Sequence, residues 1–407
     1  MSEVTVVEPE DVGFSGPRLG LIEGWMRRQV ESDRLSGVEV MVNRRGKTAF
    51  HRCHGSRDLA RGTPMTPDTI HRIYSMTKAM TSVAIMMLYE EGRFQLDDAI
   101  SRFLPAFSKM TVFTGGGYGA VMTEPAQRAI TFRDLLTHTS GLTYGFMQAT
   151  PVDAMYRAKG IELPGTEKSL TQMMELLAQQ PLIAQPGQEW NYSVATDVLG
   201  HLIAVISGVA FDRFLRERVI APLGMVDTDF HVPTGKVSRF SACYVRGEDG
   251  KPKLMDDPEK SRYLAPPAAP SGGGGLVSTA RDYMRFCQML LGKGTFEGKR
   301  YLGRKTVELM TMNHLDGDMA AMGQPRFSEA NYHGIGFGLG FSVMLDPAKA
   351  QIVGTPGECA WGGMASTAFW FDPAEDLAVV MMTQLVPSSA YPIRRELRVL
   401  TYQAIDA

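Results

Sequence analysis

The stretch Arg72-Ile73-Tyr74-Ser75-Met76-Thr77-Lys78 sets the interpretation of the whole chain. It opens an apolar-periodic helix that is predicted to run to Gly92, and residues three apart lie on the same face of a helix. The amine of Lys78 is therefore expected to reach the hydroxyl of Ser75. The first helical turn also has unpaired N–H groups and a positive dipole end, which suit an oxyanion beside Ser75. This spacing suggests a nucleophile with its activator, although most Ser-x-x-Lys tetrads lie on the surface of a helix and have no catalytic role.

The composition is that of a globular protein with a large core. The 407 residues are 44% hydrophobic and 21% charged, and the formal net charge is −2 at pH 7. No long basic or acidic run occurs, which argues against nucleic acid or an anionic membrane and favours a small-molecule partner. There is no apolar run of roughly 18 residues and no visible secretory signal, so we predict a cytoplasmic protein. The oligomeric state is left open.

The cysteines and histidines predict neither a disulfide framework nor a metal enzyme. Cys53, Cys243, Cys287 and Cys359 form no C-x-x-C pair, and the eight histidines include no H-E-x-x-H motif. Residues 272–275 are predicted to form a turn before a helix, and no G-x-G-x-x-G opens a βαβ unit. We therefore expect no metal and no cofactor.

Periodicity predicts strands near both ends of the chain and helices between them. A helix at residues 17–30 precedes a β-hairpin at residues 38–53, and the last third has extended runs at residues 338–345, 366–371 and 377–383 before a final helix at residues 393–404. We predict an α/β protein of the α+β type. Its antiparallel sheet, flanked by helices, is built from residues 1–105 and 270–407, and a mostly helical domain of residues 106–269 interrupts it.

Residues 109–129 include four glycines and show no periodicity. A segment of this length without a pattern is either a disordered excursion or a loop that covers the substrate, and we favour the covering loop. Tyr144 and Phe146 follow a turn at residues 138–142. They are expected to line the entrance of the same cleft.

Two further stretches supply candidate site residues. Residues 186–193 form a predicted turn into a helix, so the phenol of Tyr192 lies on a loop where it is able to face a cleft. A tyrosine phenol beside a lysine ammonium has a lowered pKa, and its phenolate accepts a serine proton. An isolated loop tyrosine, in contrast, more often only packs against its neighbours. After Trp361, the pair Gly362-Gly363 is predicted to begin a strand. It either lets a ligand approach backbone N–H groups or forms a bulge.

Together these stretches resemble the serine enzymes of the class C β-lactamase type, including their carboxylesterase branch (family VIII) and the related acyltransferases. The motifs that carry the resemblance occur in the family's order over nearly the whole chain. They are Arg72-Ile73-Tyr74-Ser75 with Lys78, residues 135–142, Pro186-Gly187 with Tyr192-Ser193, residues 221–225, Gly273-Gly274-Gly275-Leu276 with Ser278, and Trp361-Gly362-Gly363. The resemblance implies the fold of β-lactamases and penicillin-binding proteins.

The same resemblance implies an acyl-enzyme on Ser75, with Lys78 and Tyr192 sharing the proton transfer. The oxyanion hole would be the backbone N–H groups of Ser75 and Met364. Trp361-Gly362-Gly363 replaces the family's Lys-Thr-Gly, so an apolar surface stands where lactamases hold a substrate carboxylate. Turnover of penicillin would require another cation, such as Arg281 or Arg326.

We therefore expect a serine carboxylesterase that acts on short to medium acyl esters. An acyltransferase to an alcohol or amine is the alternative within the same chemistry, and weak hydrolysis of β-lactams or D-amino peptides is a minor one. A catalytically dead binding protein on this fold is disfavoured by the intact Ser75, Lys78 and Tyr192. The sequence does not distinguish whether Lys78 or Tyr192 is the general base.

Overall fold

A sheet that joins the two ends of the chain forms the centre of the structure. The computed structural model describes residues 4–161, 165–323 and 332–406. Within these ranges, eight strands form one sheet in which every neighbouring pair is antiparallel. From edge to edge their order is Ile335–Phe337, Ser342–Met344, Cys359–Gly362, Ala368–Asp372, Leu377–Met382, Gly37–Arg44, Lys47–Asp58 and Thr63–Pro64.

Strands Gly37–Arg44 and Leu377–Met382 are neighbours, so the N-terminal and C-terminal segments meet in the middle of the sheet. Both strands are buried along their whole length. Successive side chains point to opposite faces of a strand. Val40 accordingly packs in a cluster with the helices of the two chain ends, whereas Met41 belongs to the larger core on the other face, which includes the helix of Lys78. The α/β architecture with an antiparallel sheet between helices is confirmed.

The α-helices cover both faces of the sheet, and nine of those described lie in the chain segment between strands Thr63–Pro64 and Ile335–Phe337. The described α-helices are Gly16–Leu19, Leu21–Glu31, Thr77–Glu90, Phe132–Leu136, Pro151–Lys159, Leu170–Leu177, Ala195–Ser207, Phe211–Leu215, Ala280–Leu291, Arg304–Met310, Met319–Met322, Pro347–Ala350 and Ile393–Tyr402. In the described ranges no single helix is long and apolar enough to cross a membrane. Only the pair Ala195–Ser207 and Phe211–Ile220, bent by 86°, meets the length and hydropathy criteria together.

Smaller strand pairs complete the fold. They are Cys243–Arg246 with Pro252–Asp256 and Leu385–Val386, His71–Arg72 with Val277–Ser278, Thr295–Phe296 with Lys299–Arg300, and Thr111–Gly117 with Ala120–Pro125. Since Cys243–Arg246 pairs with Leu385–Val386, part of the middle segment joins the C-terminal segment through a β-ladder. The domain boundaries at residues 105 and 270 stay a prediction.

The prediction of an irregular segment at residues 109–129 is wrong. Thr111–Gly117 and Ala120–Pro125 form an antiparallel hairpin whose first strand also bonds to Leu182. Three glycines in a row give the strand no side chains there from which an alternating pattern can be recognised. The hairpin contributes no residue to the lining of the cavity that contains Ser75, described below, so the interpretation as a substrate-covering loop is also not supported.

Candidate active site

Ser75 lies in a 3₁₀ turn, Tyr74–Met76, immediately before the helix that carries Lys78. It lines a cavity of about 530 Å³, a volume typical of small-molecule sites. Tyr74, directly before it, has a φ of 40°, which is unusual for a residue with a Cβ atom. Such local strain often marks functional sites and persists only when the surrounding structure holds it.

The segment before Ser75 is held by a buried arginine. Arg72 has no exposed surface, and its Nε donates to Asp256 Oδ2 over 2.7 Å. Its guanidinium also lies 4.0 Å from the centre of the Phe240 ring, and its backbone N–H donates to the side chain of Gln384. These contacts connect the Ser75 turn to three distant parts of the chain, which explains how the turn keeps its strained backbone.

The amine of Lys78 is the centre of the site's hydrogen bonds. Its Nζ lies 3.3 Å from Ser75 Oγ, 2.9 Å from Tyr144 Oη and 2.7 Å from the carbonyl oxygen of Gly273. The predicted contact between Lys78 and Ser75 is therefore present. The other two partners come from segments that the sequence analysis does not connect to Lys78.

Burial lowers the pKa of Lys78 to about 7, although the negative charge of Asp197 acts in the opposite direction. Asp197 is itself buried, and its Oδ1 accepts hydrogen bonds from Ser271 Oγ over 2.6 Å and from the backbone N–H of Gly273 over 2.9 Å. Burial raises the pKa of Asp197, while Lys78 and these hydrogen bonds lower it. Asp197 thus holds the N–H of Gly273, whose carbonyl oxygen bonds to Lys78.

A side chain at position 273 would crowd the site. A Cβ atom added to Gly273 would lie 2.7 Å from Asp197 Oδ2 and 3.0 Å from Tyr144 Oη. Neither Asp197 nor Gly273 is predicted from the sequence as a site residue. A carboxylate in the mostly apolar helix Ala195–Ser207 is the signal that identifies Asp197, whereas no sequence signal identifies a backbone carbonyl.

Tyr192 lies beside Ser75 as predicted, but its electrostatics differ from the prediction. Lys78 Nζ lies 4.4 Å from the centre of the Tyr192 ring. Burial raises the pKa of the Tyr192 phenol, and hydrogen bonds to Ser75 and Trp361 lower it only in part. The expected lowered pKa of Tyr192 is therefore wrong. Burial disfavours the charged form of both groups. Lys78 is therefore less often an ammonium that could stabilise the phenolate, and the buried phenol of Tyr192 itself resists ionisation.

Tyr144 and Phe146 both line the cavity, where the sequence analysis places them. Phe146 is largely exposed and stacks on Tyr144, with ring centres 4.6 Å apart. Tyr144 is buried, and its phenol oxygen accepts a hydrogen bond from Lys78, a contact that the predicted place at the cavity entrance does not include. Burial raises the pKa of Tyr144, so this phenol is neutral when it accepts the hydrogen bond from Lys78.

Trp361, Gly362, Gly363 and Met364 line the same cavity as Ser75. Trp361 Nε1 donates to Tyr192 Oη over 3.4 Å, and the two rings lie 5.5 Å apart. Gly362 ends the strand Cys359–Gly362 and Gly363 follows it, so the prediction that this glycine pair begins a strand is wrong.

The two glycines serve packing within the protein. A Cβ atom added to Gly363 would lie 2.5 Å from the carbonyl oxygen of Ile73 and 2.3 Å from Thr367 Oγ1. The missing side chain therefore lets the turn at Met364 lie directly against the segment that precedes Ser75. This packing brings the two predicted oxyanion-hole residues, Ser75 and Met364, into the lining of one cavity.

The cavity is also lined by cations from helix Ile393–Tyr402, each of which contacts other groups of the protein. Arg394 donates to the carbonyl of Gly363 over 2.7 Å, and Arg398 forms an ion pair with Glu358. Arg281, suggested as a substitute for the family's strand lysine, is not part of the lining, and Arg326 lies outside the described residues.

The chain is similar to known proteins over most of its length. The family model described as Beta-lactamase matches residues 22–403. An uncharacterised protein of Mycobacterium tuberculosis is 37% identical over 368 residues, 89% of each chain, and esterase EstB of Burkholderia gladioli is 30% identical over 368 residues, 86% of each chain. The solved structure of EstCE1, described as a hydrolase with promiscuous acyltransferase activity, matches with a TM-score of 0.78 and 28% identity. The match covers 95% of this chain and 99% of EstCE1.

Proposed function

Since this chain belongs to the Beta-lactamase family, which includes esterases and acyltransferases, we propose that it is a serine carboxylesterase of the carboxylic ester hydrolase class. Its substrates are short to medium acyl esters with apolar groups, and the reaction proceeds through an acyl-enzyme on Ser75. Lys78 is the base that activates Ser75, and Tyr192 is the acid that protonates the leaving group.

The contacts of Lys78 Nζ carry this proposal. A neutral amine has two N–H donors and one lone pair. Gly273 O and Tyr144 Oη, at 2.7 and 2.9 Å, accept the two N–H groups, and the lone pair then faces Ser75 Oγ at 3.3 Å. A pKa of about 7 allows Lys78 to be neutral near physiological pH, where a general base is most effective.

The steps follow from this arrangement. Ser75 Oγ attacks the ester carbonyl while its proton passes to Lys78, and the backbone N–H groups of Ser75 and Met364 bind the oxyanion. Loss of one such donor costs roughly 3 kcal/mol of transition-state stabilisation. When the C–O bond breaks, the leaving alkoxide takes the phenol proton of Tyr192, and the Lys78 ammonium returns a proton to the phenolate. Water then attacks the acyl-enzyme by the reverse sequence.

The aromatic walls of the cavity support apolar substrates. Trp361, Tyr144 and Phe146 present ring surfaces near Ser75, and Trp361 stands where the family's lactamases have a lysine. Arg394, which also lines the cavity, donates to the carbonyls of Gly363 and Thr367. Penicillins, which carry a carboxylate, are therefore expected to be poor substrates compared with neutral esters.

Transfer of the acyl group to an alcohol or amine is the second candidate function. EstCE1 is described as a hydrolase with promiscuous acyltransferase activity, and it matches this chain over nearly its whole length. Water and an alcohol would attack the same acyl-enzyme, so the two activities differ only in the acceptor. We expect mainly hydrolysis in water and measurable transfer when an alcohol is added.

A panel of p-nitrophenyl esters, with nitrocefin alongside, tests the proposal. The wild-type protein should cleave the esters much faster than nitrocefin, and a phosphonate should add to Ser75, as located by mass spectrometry of the peptides. Ser75→Ala should lose both cleavage and labelling while its circular dichroism spectrum stays unchanged. An active Ser75→Ala variant would contradict the assignment, and penicillin turnover equal to ester turnover would contradict the proposed specificity.

A further inference from the structure

A second group of reactive side chains lies on the sheet strands that precede Ser75. Glu39 faces Cys53 directly across the pair of strands Gly37–Arg44 and Lys47–Asp58. His51 is two residues before Cys53, so it points to the same face of the sheet. One ligand atom each of Glu39, His51 and Cys53 lies within 4.8 Å of the other two. We call these three residues with His71 the Glu39 cluster.

Both carboxylate oxygens of Glu39 are held by histidines. His51 Nε2 lies 2.8 Å from Oε1, and His71 Nε2 lies 3.3 Å from Oε2. The side chains of Glu39 and His71 have no exposed surface. Cys53 is partly exposed, which gives solvent a path to the cluster.

The residue types of the Glu39 cluster match the ligand preferences of a borderline-soft divalent cation. Thiolate, imidazole and carboxylate together are typical ligands of Zn²⁺, and Co²⁺ accepts the same set. In a tetrahedral zinc site with bonds of about 2.0–2.1 Å, His51 Nε2 and Glu39 Oε1 would be roughly 3.3 Å apart. The two atoms lie 2.8 Å apart in this structure, so the side chains of His51 and Glu39 would move apart only slightly to bind zinc.

We propose that Glu39, His51 and Cys53 bind one Zn²⁺, with His71 orienting the free oxygen of Glu39. On binding, the Cys53 thiol releases its proton to solvent and the cation replaces the hydrogen bond between His51 and Glu39. Metal-binding carboxylates commonly have such an additional hydrogen-bond partner. Sequence patterns based on helical or C-x-x-C spacing do not detect this site, because its ligands come from two paired strands.

The zinc site stabilises the fold and takes no part in the ester reaction. None of its residues lines the cavity of Ser75. It joins the first two strands of the sheet to the short strand His71–Arg72, which leads into the Ser75 turn. Zinc is therefore expected to raise the unfolding temperature and to leave kcat unchanged.

The test uses the full-length protein, stripped with EDTA and titrated with Co²⁺. We expect a thiolate-to-cobalt charge-transfer band that saturates at one equivalent, and Zn²⁺ should displace the cobalt and raise Tm. Cys53→Ser should lose the band, and His71→Gln should weaken cobalt binding by about 10–100-fold, as is usual for residues that orient a ligand. His54→Gln is the matched control, because His54 is on the same strand and points to the other face.

Three results would overturn the zinc site or its role. They are the absence of the band in the wild-type protein, its persistence in Cys53→Ser, and a loss of ester turnover after EDTA treatment of protein that is still folded. The first measurement needs no variant, so a folding defect in Cys53→Ser does not affect it. Ser75→Ala should still show the band, which keeps this test independent of the proposed esterase activity.

Discussion

The buried amine of Lys78 makes activity depend on pH in a definite direction. Only the neutral amine can accept the Ser75 proton, and the pKa of Lys78 is lowered to about 7 by burial. We therefore expect kcat/KM for a p-nitrophenyl ester to rise with pH through about 7 and to level off above it. Asp197→Asn removes a negative charge that favours the ammonium, so the rise should move to lower pH.

Ser271→Ala is the control for this shift, because it removes a hydrogen bond to Asp197 and keeps the carboxylate. Its pH profile should move much less than that of Asp197→Asn. A rise in kcat/KM that stays in place in Asp197→Asn would show that Lys78 is not the group that titrates. Stopped-flow rates from pH 5 to 9, on a substrate with a slow background reaction, would measure the pH profiles of both variants.

Lys78 and Tyr192 are expected to act as a unit. Lys78→Ala and Tyr192→Phe should each lower kcat by about 10²–10⁴-fold, the usual contribution of general acid–base catalysis. The double variant should be little slower than the single ones, because each change already breaks the same proton path. Tyr144→Phe removes one acceptor of a Lys78 hydrogen bond and should cost only about tenfold.

Single-turnover rates of the four variants would decide this point. Losses that add in the double variant would mean that Lys78 and Tyr192 serve separate steps. An equal loss in Tyr144→Phe and Tyr192→Phe would show that the phenol at Tyr144 is the proton donor instead.

Among the secondary-structure elements, the turn after strand Cys359–Gly362 depends on close packing. Gly363→Ala would place a methyl group 2.5 Å from the carbonyl oxygen of Ile73, so the turn has to move away from Ser75. We expect kcat to fall by about 10²-fold or more, as when an oxyanion-hole donor is lost, with a smaller change in KM. Gly235→Ala, which has open space around its new Cβ atom, should behave like the wild-type protein. Unchanged kcat in Gly363→Ala would remove Met364 from the oxyanion hole.

The hairpin of Thr111–Gly117 and Ala120–Pro125 lies outside the cavity lining. Shortening it at residues 115–119 should therefore leave the ranking of ester substrates unchanged, contrary to the expectation from the sequence. Phe146→Ala, at the exposed edge of the cavity, should change that ranking in favour of smaller alcohol groups. Relative kcat/KM values for methyl to phenyl esters measure both. A new ranking after the deletion, with none in Phe146→Ala, would reverse these roles.

In the whole molecule, helices from the two chain ends cover the face of the sheet to which Val40 points. Helix Ile393–Tyr402 packs on the sheet and on helix Leu21–Glu31, where Trp25 Nε1 donates to Glu396 Oε2 over 2.7 Å. Leu397 has no exposed surface, so Leu397→Ala should lower the free energy of unfolding by about 2–5 kcal/mol.

Val399→Ala on the same helix is the matched control, because Val399 is largely exposed and its replacement should stay within about 0.5 kcal/mol. Urea unfolding followed by tryptophan fluorescence would compare the two. Equal stability of both variants would mean that the C-terminal helix unfolds separately from the sheet.

Features that depend on local spacing are predictable from the sequence. Ser75 and Lys78 meet because they are one helical turn apart, and the alternation of Val38, Val40 and Val42 identifies a sheet strand. The same kind of local pattern predicts the strands near both ends of the chain. Their meeting in one sheet follows from the need to bury both faces.

The electrostatics of the site depend on the tertiary structure. The lowered pKa of Lys78 and the raised pKa of Tyr192 come from burial, which is produced by segments that are distant from each residue in the sequence. The carbonyl of Gly273 is likewise placed on Lys78 only by the folding of a distant loop. Burial and backbone direction leave no local pattern in a sequence, because they depend on which segments pack together.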